Sequence, residues 1–207
     1  MELELMFSDQ KWNILRCLSE DRYSPLQLAE KLNTTMANIS QQLRLLEAVS
    51  LVKKEKIKNR DKGKPRTLFS LNEDVAYLIP TMHNFANKKL LRVKNHHKIV
   101  LKIWFLENPE LHPHVEKLYW KIEPYLSQIG AIAVKQSAKE IIIISDKPHE
   151  IEKVLHKNKA IITRIISTEE AERAMKYHKE PFSQFSDLSI IYDHDNIFQK
   201  PMEVLTK

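Results

Sequence analysis

Seven residues between positions 35 and 44 carry side chains suited to contacts with the edges of bases. Asn and Gln can form paired hydrogen bonds with adenine, and Arg can do so with guanine. A solvent-facing helix would more commonly mix Glu with Lys, yet no acid occurs here before Glu47. The candidate base contacts are Thr35, Ala37, Asn38, Ser40, Gln41, Gln42 and Arg44.

Positive charge is concentrated in two blocks of the sequence. Residues 53–66 hold eight Lys and Arg against two acids, and residues 88–102 hold six Lys and Arg and no acid. Such blocks indicate a polyanionic partner, with a solvated surface as the alternative. In the first block, the candidates for phosphate or minor-groove contacts are Lys58, Arg60, Lys62, Lys64 and Arg66.

Several other chemistries are disfavoured by composition. The chain has only 2 glycines, which argues against Gly-rich phosphate loops and therefore against Walker-type ATPases and Rossmann dinucleotide sites. A single cysteine, Cys17, excludes a disulfide framework and a cysteine-rich zinc site. His112 with His114, and Asp193-His194-Asp195, lack a third ligand at motif spacing, so we expect surface loops, no metal and no cofactor.

The elements that must position the candidate base contacts are three helices and a hairpin. Apolar periodicity and capping signals predict helices at 8–20, 24–32 and 36–49. Two short β-like runs at 52–58 and 66–71 follow, and the polar segment between them contains Gly and Pro, which predicts a hairpin. This order of elements is that of a winged helix-turn-helix, whose third helix fits the major groove.

The stretch SPLQLAEKLNTTMANISQQLRLLEAVSLVKKEKIKNRDKGKPRTLFSLN resembles the ArsR-like winged-helix regulators of bacteria and archaea. The resemblance covers residues 8–72 and rests on ISQQLRLL at 39–46 and on Leu51-Val52 at the start of the wing. Ser50 departs from it, because the family usually has Gly at this position. The resemblance implies a recognition helix at 36–49 and a DNA-binding wing.

The segment 73–107 is predicted to be a helical linker that Pro80 ends or kinks. It holds too many apolar residues for an isolated surface helix. Since the helix after the wing is commonly the dimer contact in ArsR-like proteins, the resemblance implies a homodimer; a helix packed within its own chain is the alternative. The candidate dimer contacts are Phe85, Leu91, Ile99, Ile103 and Trp104.

Residues 108–207 alternate helices and strands, which predicts an α/β domain. The unbroken apolar run 141–144 predicts a strand covered on both faces. The predicted helices are 114–127, 148–157 and 168–177, and the predicted strands are 129–135, 140–145, 161–167 and 188–193.

This second half resembles the minimal nucleotidyltransferase domains that are fused to such winged helices in archaea. Those enzymes have Gly-Ser after the first strand and Asp-x-Asp before the second, since two carboxylates hold Mg²⁺. Here Ser137 matches, the glycine does not, and only Glu140 remains of the acidic pair. We expect a degenerate, non-catalytic domain in which Glu140 lies in water at a strand edge.

Together these patterns predict an α+β / α/β protein with a winged helix-turn-helix at 1–72, the linker at 73–107 and an α/β domain at 108–207. The expected function is sequence-specific binding of double-stranded DNA by a cytoplasmic, non-enzymatic, homodimeric transcriptional regulator. An unidentified small-molecule or protein effector is a further expected partner, and a membrane is not. The alternative is a nucleotidyltransferase-like enzyme or nucleotide sensor that carries a winged helix for targeting.

Overall fold

A computed structural model describes residues 8–57, 66–155 and 161–198. The chain divides into two compact units, Met1–Lys94 and Asn95–Lys207. Both helices and small sheets are present, which confirms the predicted mixed fold class. The predicted linker at 73–107 is not a separate segment, because its residues are shared between the two units.

Three helices form the core of the first unit: α1 (Asp9–Glu20), α2 (Pro25–Lys31) and α3 (Met36–Ala48). Each turns an apolar stripe inward, and the stripes meet around fully buried leucines and isoleucines. This core includes Ile14, Cys17, Leu18, Leu28, Ala29, Ile39, Leu43 and Leu46. The buried Cys17 is therefore a core residue.

The starts of α2 and α3 are fixed by side chains, as the sequence predicts. Ser24 forms a reciprocal capping box with Gln27, and Pro25 follows as the first helical residue. The Thr35 hydroxyl accepts a hydrogen bond from the Asn38 backbone N–H at 3.2 Å. Between the helices, Asn33 takes a left-handed conformation with φ 49°, which Asn tolerates better than most residues. The tight turn orients α3 relative to α2.

Ser50, where the resembling family usually has Gly, lies in the turn that ends α3. Ser50 has φ 60°, in the region where glycine is most favourable. Its backbone N–H donates to the Glu47 carbonyl at 2.9 Å, and the Leu51 N–H donates to the Leu46 carbonyl at 3.0 Å. These two bonds form a Schellman motif, with buried Leu46 and Leu51 as its apolar contact. Ser50 thus adopts the left-handed backbone conformation that glycine usually adopts at the end of a helix.

Two antiparallel strands, β1 (Val52–Ile57) and β2 (Arg66–Leu71), follow α3. Val52 and Phe69 are buried and attach the sheet to the three-helix core. Tyr23, between α1 and α2, exchanges two backbone hydrogen bonds with Phe69 and so adds a third, single-residue strand. Helices, turn and sheet together have the arrangement of a winged helix-turn-helix, as predicted.

The helix predicted from residue 73 onward is wrong over 73–94. Residues 75–92 form one long antiparallel hairpin with strands β3 (Val75–Leu78), β4 (Thr81–Met82), β5 (Phe85–Ala86) and β6 (Lys89–Arg92). The register is continuous, because β3 pairs with β6 and β4 with β5 in the same frame. Pro80 interrupts the ladder since it has no N–H, yet its carbonyl accepts from the Asn87 N–H at 3.2 Å. Asn84, with φ 61°, makes the turn.

The second unit is a four-stranded sheet with helices on both faces. Its helices are α4 (Asn95–Trp104), α5 (His112–Ile122), α6 (Pro148–Val154) and α7 (Thr168–Lys176), with short 3₁₀ turns at Pro109–Leu111, Glu123–Gln128 and Phe185–Asp187. Its strands are β7 (Ile129–Lys135), β8 (Glu140–Ser145), β9 (Ile162–Ile166) and β10 (Leu188–Asp193).

The strand order β10-β7-β8-β9 places the two most apolar strands in the middle. β7 pairs antiparallel with β10 and β8, and β8 pairs parallel with β9 through the crossover helix α6. Every residue of β8 is buried, which confirms that both faces of this strand are covered. One face packs on α4, α5 and α6, and the other on α7 and residues near Phe182 and Phe198.

Two predictions about individual residues of this unit are wrong. Ile99 and Ile103 were candidate dimer contacts, but they are 2 % and 0 % exposed within the core of their own unit, because α4 turns this face to the sheet. Glu140 was expected in water at a strand edge. It is 4 % exposed, because it lies on an interior strand and pairs with Arg164 of β9.

Candidate nucleic-acid interface

The exposed face of α3 holds four of the seven candidate base contacts. Ala37, Ser40, Gln41 and Arg44 are spaced i, i+3, i+4 and i+7, so they lie on one stripe of the helix. Ala37, Gln41 and Arg44 are exposed and Ser40 is half-buried. The opposite face carries the buried Ile39, Leu43 and Leu46. An amide, a hydroxyl and a guanidinium therefore share one surface, with a small residue at its start.

Asn38 and Gln42 lie away from this stripe and bond within the protein. The Asn38 Nδ2 donates to Thr34 Oγ1 at 3.1 Å, and the Gln42 Nε2 donates to Asn38 Oδ1 at 3.3 Å. Gln42 Oε1 is buried with no hydrogen-bond partner among the described residues. Both amides are half-buried. We therefore assign them to holding α3 on the helix-turn-helix turn, and Thr35 to capping α3.

The one acid of α3 is neutralised from the neighbouring sheet. Lys54 of β1 approaches Glu47 with its Nζ 2.8 Å from the carboxylate. The pair holds the end of α3 against β1 and removes a negative charge from a surface that would otherwise repel phosphate. The face of α3 available to a partner is thus neutral to positive.

Sequence reasoning missed Lys56, which lies on the same face of β1 as Lys54, one pleat closer to the wing tip. Lys56 is exposed. The signal that could have found it is the two-residue alternation along β1, because Val52, Lys54 and Lys56 must share a face. Lys56 joins Arg44 as a basic residue on the helix-and-wing side of the unit.

Most of the predicted wing contacts lie outside the described residues. These are Lys58, Arg60, Lys62 and Lys64. Arg66 begins β2, opposite Ile57 at the end of β1, and is exposed. The one described member of the set thus lies at the end of the strand pair that is next to residues 58–65.

The two clusters of potential metal ligands have roles in the fold. His112 Nε2 lies 3.0 Å from the Leu106 carbonyl, and the two oxygens of Asp193 accept from the backbone N–H groups of Ile197 and Phe198 at 2.8 and 3.1 Å. Within the described ranges, no group of three or more His, Cys, Asp or Glu is placed to hold a metal ion.

The positions that resemble the nucleotidyltransferase motif are linked to other elements of the second unit. Residues 129–145 form a strand–turn–strand pair, as predicted. Glu140 binds Arg164 with 2.6 Å between Oε1 and Nε. The Ser137 hydroxyl donates to Asp187, an acid that sequence reasoning missed because it follows the motif by 50 residues. Neither motif residue is left without a partner.

A second charged pair lies beside Glu140. Lys135, opposite Glu140 in the β7–β8 register, is nearly buried, and its Nζ is 3.0 Å from Glu180 Oε2. The pKa of Glu180 is lowered, first by the hydrogen bond from the Ser183 hydroxyl and then by the bond from Lys135. Two acids and two bases therefore form a balanced cluster at this end of the sheet.

Comparisons with known proteins give a partial likeness. No family model matches the chain, and no curated protein matches it. Among solved structures, a double mutant of ZitR from Lactococcus lactis is 27 % identical over 32 % of this chain and 44 % of that chain, with a TM-score of 0.29. Its apo form is 30 % identical over 34 % of this chain and 50 % of that chain, also with a TM-score of 0.29.

The chain thus spans half or less of the length of these ZitR chains. A TM-score of 0.29 does not indicate a shared function. None of the helices in the described part of the chain is long and apolar enough to cross a bilayer.

Proposed function

We propose that this protein is a sequence-specific transcriptional regulator that binds double-stranded DNA through α3 and the wing. The observation that carries the proposal is the exposed stripe of α3, where Ser40, Gln41 and Arg44 present base-reading chemistry and Glu47 is neutralised by Lys54. A major groove admits a helix of this kind, and basic residues of the wing would contact phosphates beside it. The ArsR-like motif in the sequence supports the same function.

Selection of bound sequences from a random duplex library, with the full chain, is the first step of the test. Arg44→Ala and Gln41→Ala are each expected to cost about 1–3 kcal/mol on the selected site and much less on random duplex. Arg16→Ala is the matched control, because Arg16 is an exposed arginine on α1 and its loss changes the net charge equally. Equal losses on both DNAs would show that α3 positions the protein without reading sequence.

Asn38→Ala tests the division of α3 into two sides. Because Asn38 bonds to Thr34 and Gln42, its loss is expected to lower stability by about 1 kcal/mol and to weaken selected and random DNA alike. A loss confined to the selected sequence would assign Asn38 to base reading. The wing is tested separately, since charge reversal at Lys62 and Lys64 should lower the log–log salt slope by roughly 0.9 per lost phosphate contact.

We further propose that the regulator is a homodimer that pairs through the hairpin 75–92. A two-stranded hairpin is marginally stable alone in water, and this one exposes Ile79, Met82 and Phe85 at its tip. The tip carries no Lys, Arg, Asp or Glu between residues 75 and 87, so two copies can meet there without charge repulsion. Of the candidate dimer contacts, Phe85 and Leu91 belong to this hairpin, and Trp104 lies on α4 with an exposed ring.

Sedimentation of the full chain tests the dimer. Phe85→Ser combined with Ile79→Ser should convert dimer to monomer, while Ile162→Ser, which removes an equally exposed isoleucine from β9, should leave the mass unchanged. A monomeric parent chain would refute the dimer proposal outright.

For the second unit we propose a non-catalytic role in pairing or sensing. The support is that Glu140 is committed to Arg164, and Ser137 to Asp187, so neither is placed to share a metal. Incubation with the four NTPs and Mg²⁺ or Mn²⁺ should give no nucleotide transfer. Transfer that Glu140→Gln abolishes would establish the enzymatic alternative.

A further inference from the structure

The face formed by α4 and α5 is an aromatic surface in the second unit. Trp104 and Trp120 are 53 % and 52 % exposed, and Phe105 beside Trp104 is 84 % exposed. Large rings are normally covered in a folded domain, and a cluster of exposed ones marks a binding surface. These three rings belong to the second unit and are not part of the hairpin 75–92.

Contacts between α4 and α5 join the two tryptophan rings into one surface. Trp104 Nε1 donates to Glu116 Oε1 at 3.3 Å, which places Trp104 against α5. Trp120 lies one turn further along α5 on the same side as Glu116. The ring of His96, at the start of α4, has its centroid 5.0 Å from that of Trp120. The surface, here called the α4–α5 aromatic face, therefore runs from His96 through Trp120 to Trp104.

Two exposed lysines lie beside the α4–α5 aromatic face. Lys117 and Lys121 flank Trp120 on α5 and are exposed; neither is paired with an acid among the residues that the structure describes. The acids of the face are engaged, since Glu116 accepts from Trp104 and Glu123 binds both His96 and the Tyr119 hydroxyl. Both carboxylates keep their negative charge, so a polyanion would gain its ionic contacts at Lys117 and Lys121.

We propose that the α4–α5 aromatic face binds single-stranded DNA, with bases stacked on Trp104 and Trp120 and phosphates at Lys117 and Lys121. Proteins that bind single strands combine exposed aromatic rings with basic side chains, because bases stack on the rings and each phosphodiester carries a negative charge. A duplex hides its base faces, so this surface would not hold duplex DNA. Stacking and phosphate contacts need no 2′-hydroxyl, and DNA therefore suffices as the occupant.

The test uses the full chain carrying Trp12→Phe, so that emission comes only from Trp104 and Trp120, and Arg44→Ala to weaken duplex binding by α3. Titration with a 20-nucleotide oligo(dT) should quench the emission and raise the anisotropy of the labelled strand. Trp120→Ala and Trp104→Ala should each weaken binding roughly 5- to 100-fold, and Trp→Phe at either position should restore part of the loss. Lys117→Gln with Lys121→Gln should lower the log–log salt slope by about 0.7 per lost phosphate contact.

Tyr177→Ala is the matched control, since Tyr177 is 59 % exposed and has Lys176 and Lys179 near its ring, yet lies outside the face. It should leave oligo(dT) affinity unchanged. An equal loss in the control, tryptophan variants that weaken a 20-base-pair duplex as much as oligo(dT), or binding of oligo(rU) without oligo(dT) would each overturn the proposal. So would a result in which the tryptophan variants lower the sedimenting mass and leave DNA affinity intact, because that would assign the face to a second copy.

Discussion

Removal of the Arg164 side chain probes whether Glu140 is a structural residue or the remnant of a metal site. The Glu140 side chain is 5 % exposed and its Oε1 is 2.6 Å from Arg164 Nε, while the Arg164 side chain is 44 % exposed. Arg164→Met therefore leaves a carboxylate buried without its counter-charge. Breaking a buried pair by removing one partner costs about 3–5 kcal/mol. Because Arg164 is half in water, we expect the lower end, about 3 kcal/mol.

Urea unfolding of the full chain measures this cost, in a Trp12→Phe background so that fluorescence reports the second unit alone. With a denaturant slope of about 1.5 kcal/mol/M, a loss of ~3 kcal/mol lowers the midpoint by about 2 M. The double change Glu140→Met with Arg164→Met should recover most of the loss, since replacing both members of a buried pair by apolar residues is commonly neutral.

Two results would refute this reasoning. A loss below about 1 kcal/mol in Arg164→Met would show that water reaches Glu140 and that the pair contributes little. The second result is a urea midpoint that Mg²⁺ raises in the parent chain but not in Glu140→Gln. It would show that the carboxylate binds metal in the folded state. Arg164→Lys is the control variant, because it keeps the charge with a shorter reach and should lose less than Arg164→Met.

Three further changes test the local structure. Ser50→Gly should stabilise the first unit by about 0.5–1 kcal/mol in urea unfolding, because it relieves a left-handed residue with φ 60°; Ser50→Ala, which keeps the Cβ, should bring no gain. Ser167→Ala removes the cap that the Glu170 N–H uses at the start of α7 and should cost about 1 kcal/mol, with Ser186→Ala as a control. Glu180 has a pKa below its ordinary 4.5, so its bonds to the Ser183 hydroxyl and to Lys135 stabilise the fold above pH 4.5, and this contribution fades as the pH falls through the lowered value. The stability difference between the parent chain and Glu180→Gln should accordingly shrink below pH 4.5, and a difference that grows there would contradict it.

Elements that bury one continuous apolar stripe could be predicted from the sequence. The run 141–144 has no polar alternation, and its strand is indeed covered on both faces. The helices α2 and α3 of the first unit are marked by capping residues, Ser24 and Thr35, whose hydrogen bonds the structure contains. In both cases the local signal and the tertiary environment agree, which is the condition under which sequence reasoning succeeds.

The hairpin 75–92 could not be predicted by the same rules. Its apolar residues fall on both faces of the hairpin, so neither a helical nor a strand period is clean. Pro80 by itself predicts the end or a kink of a helix, although a proline also fits a hairpin where its missing N–H is not required. The turn at His83-Asn84 contains no glycine, and it depends on Asn84 taking φ 61°, which a search for Asn-Gly or Asp-Gly turns does not find.

The candidate site shows a different reason for partial success. Sequence periodicity separates the apolar face of α3 from its polar positions, but it does not separate polar residues that face a partner from those that hold the helix in place. Asn38 and Gln42 have the same chemistry as Gln41, yet they join a chain of bonds that begins at Thr34. These bonds form because α2 and the turn bring Thr34 next to α3. The periodicity of the α3 sequence does not show this tertiary contact. In the proposed complex, base reading therefore falls to Ser40, Gln41 and Arg44. The internal amides of Asn38 and Gln42 should affect affinity only through the position of the helix.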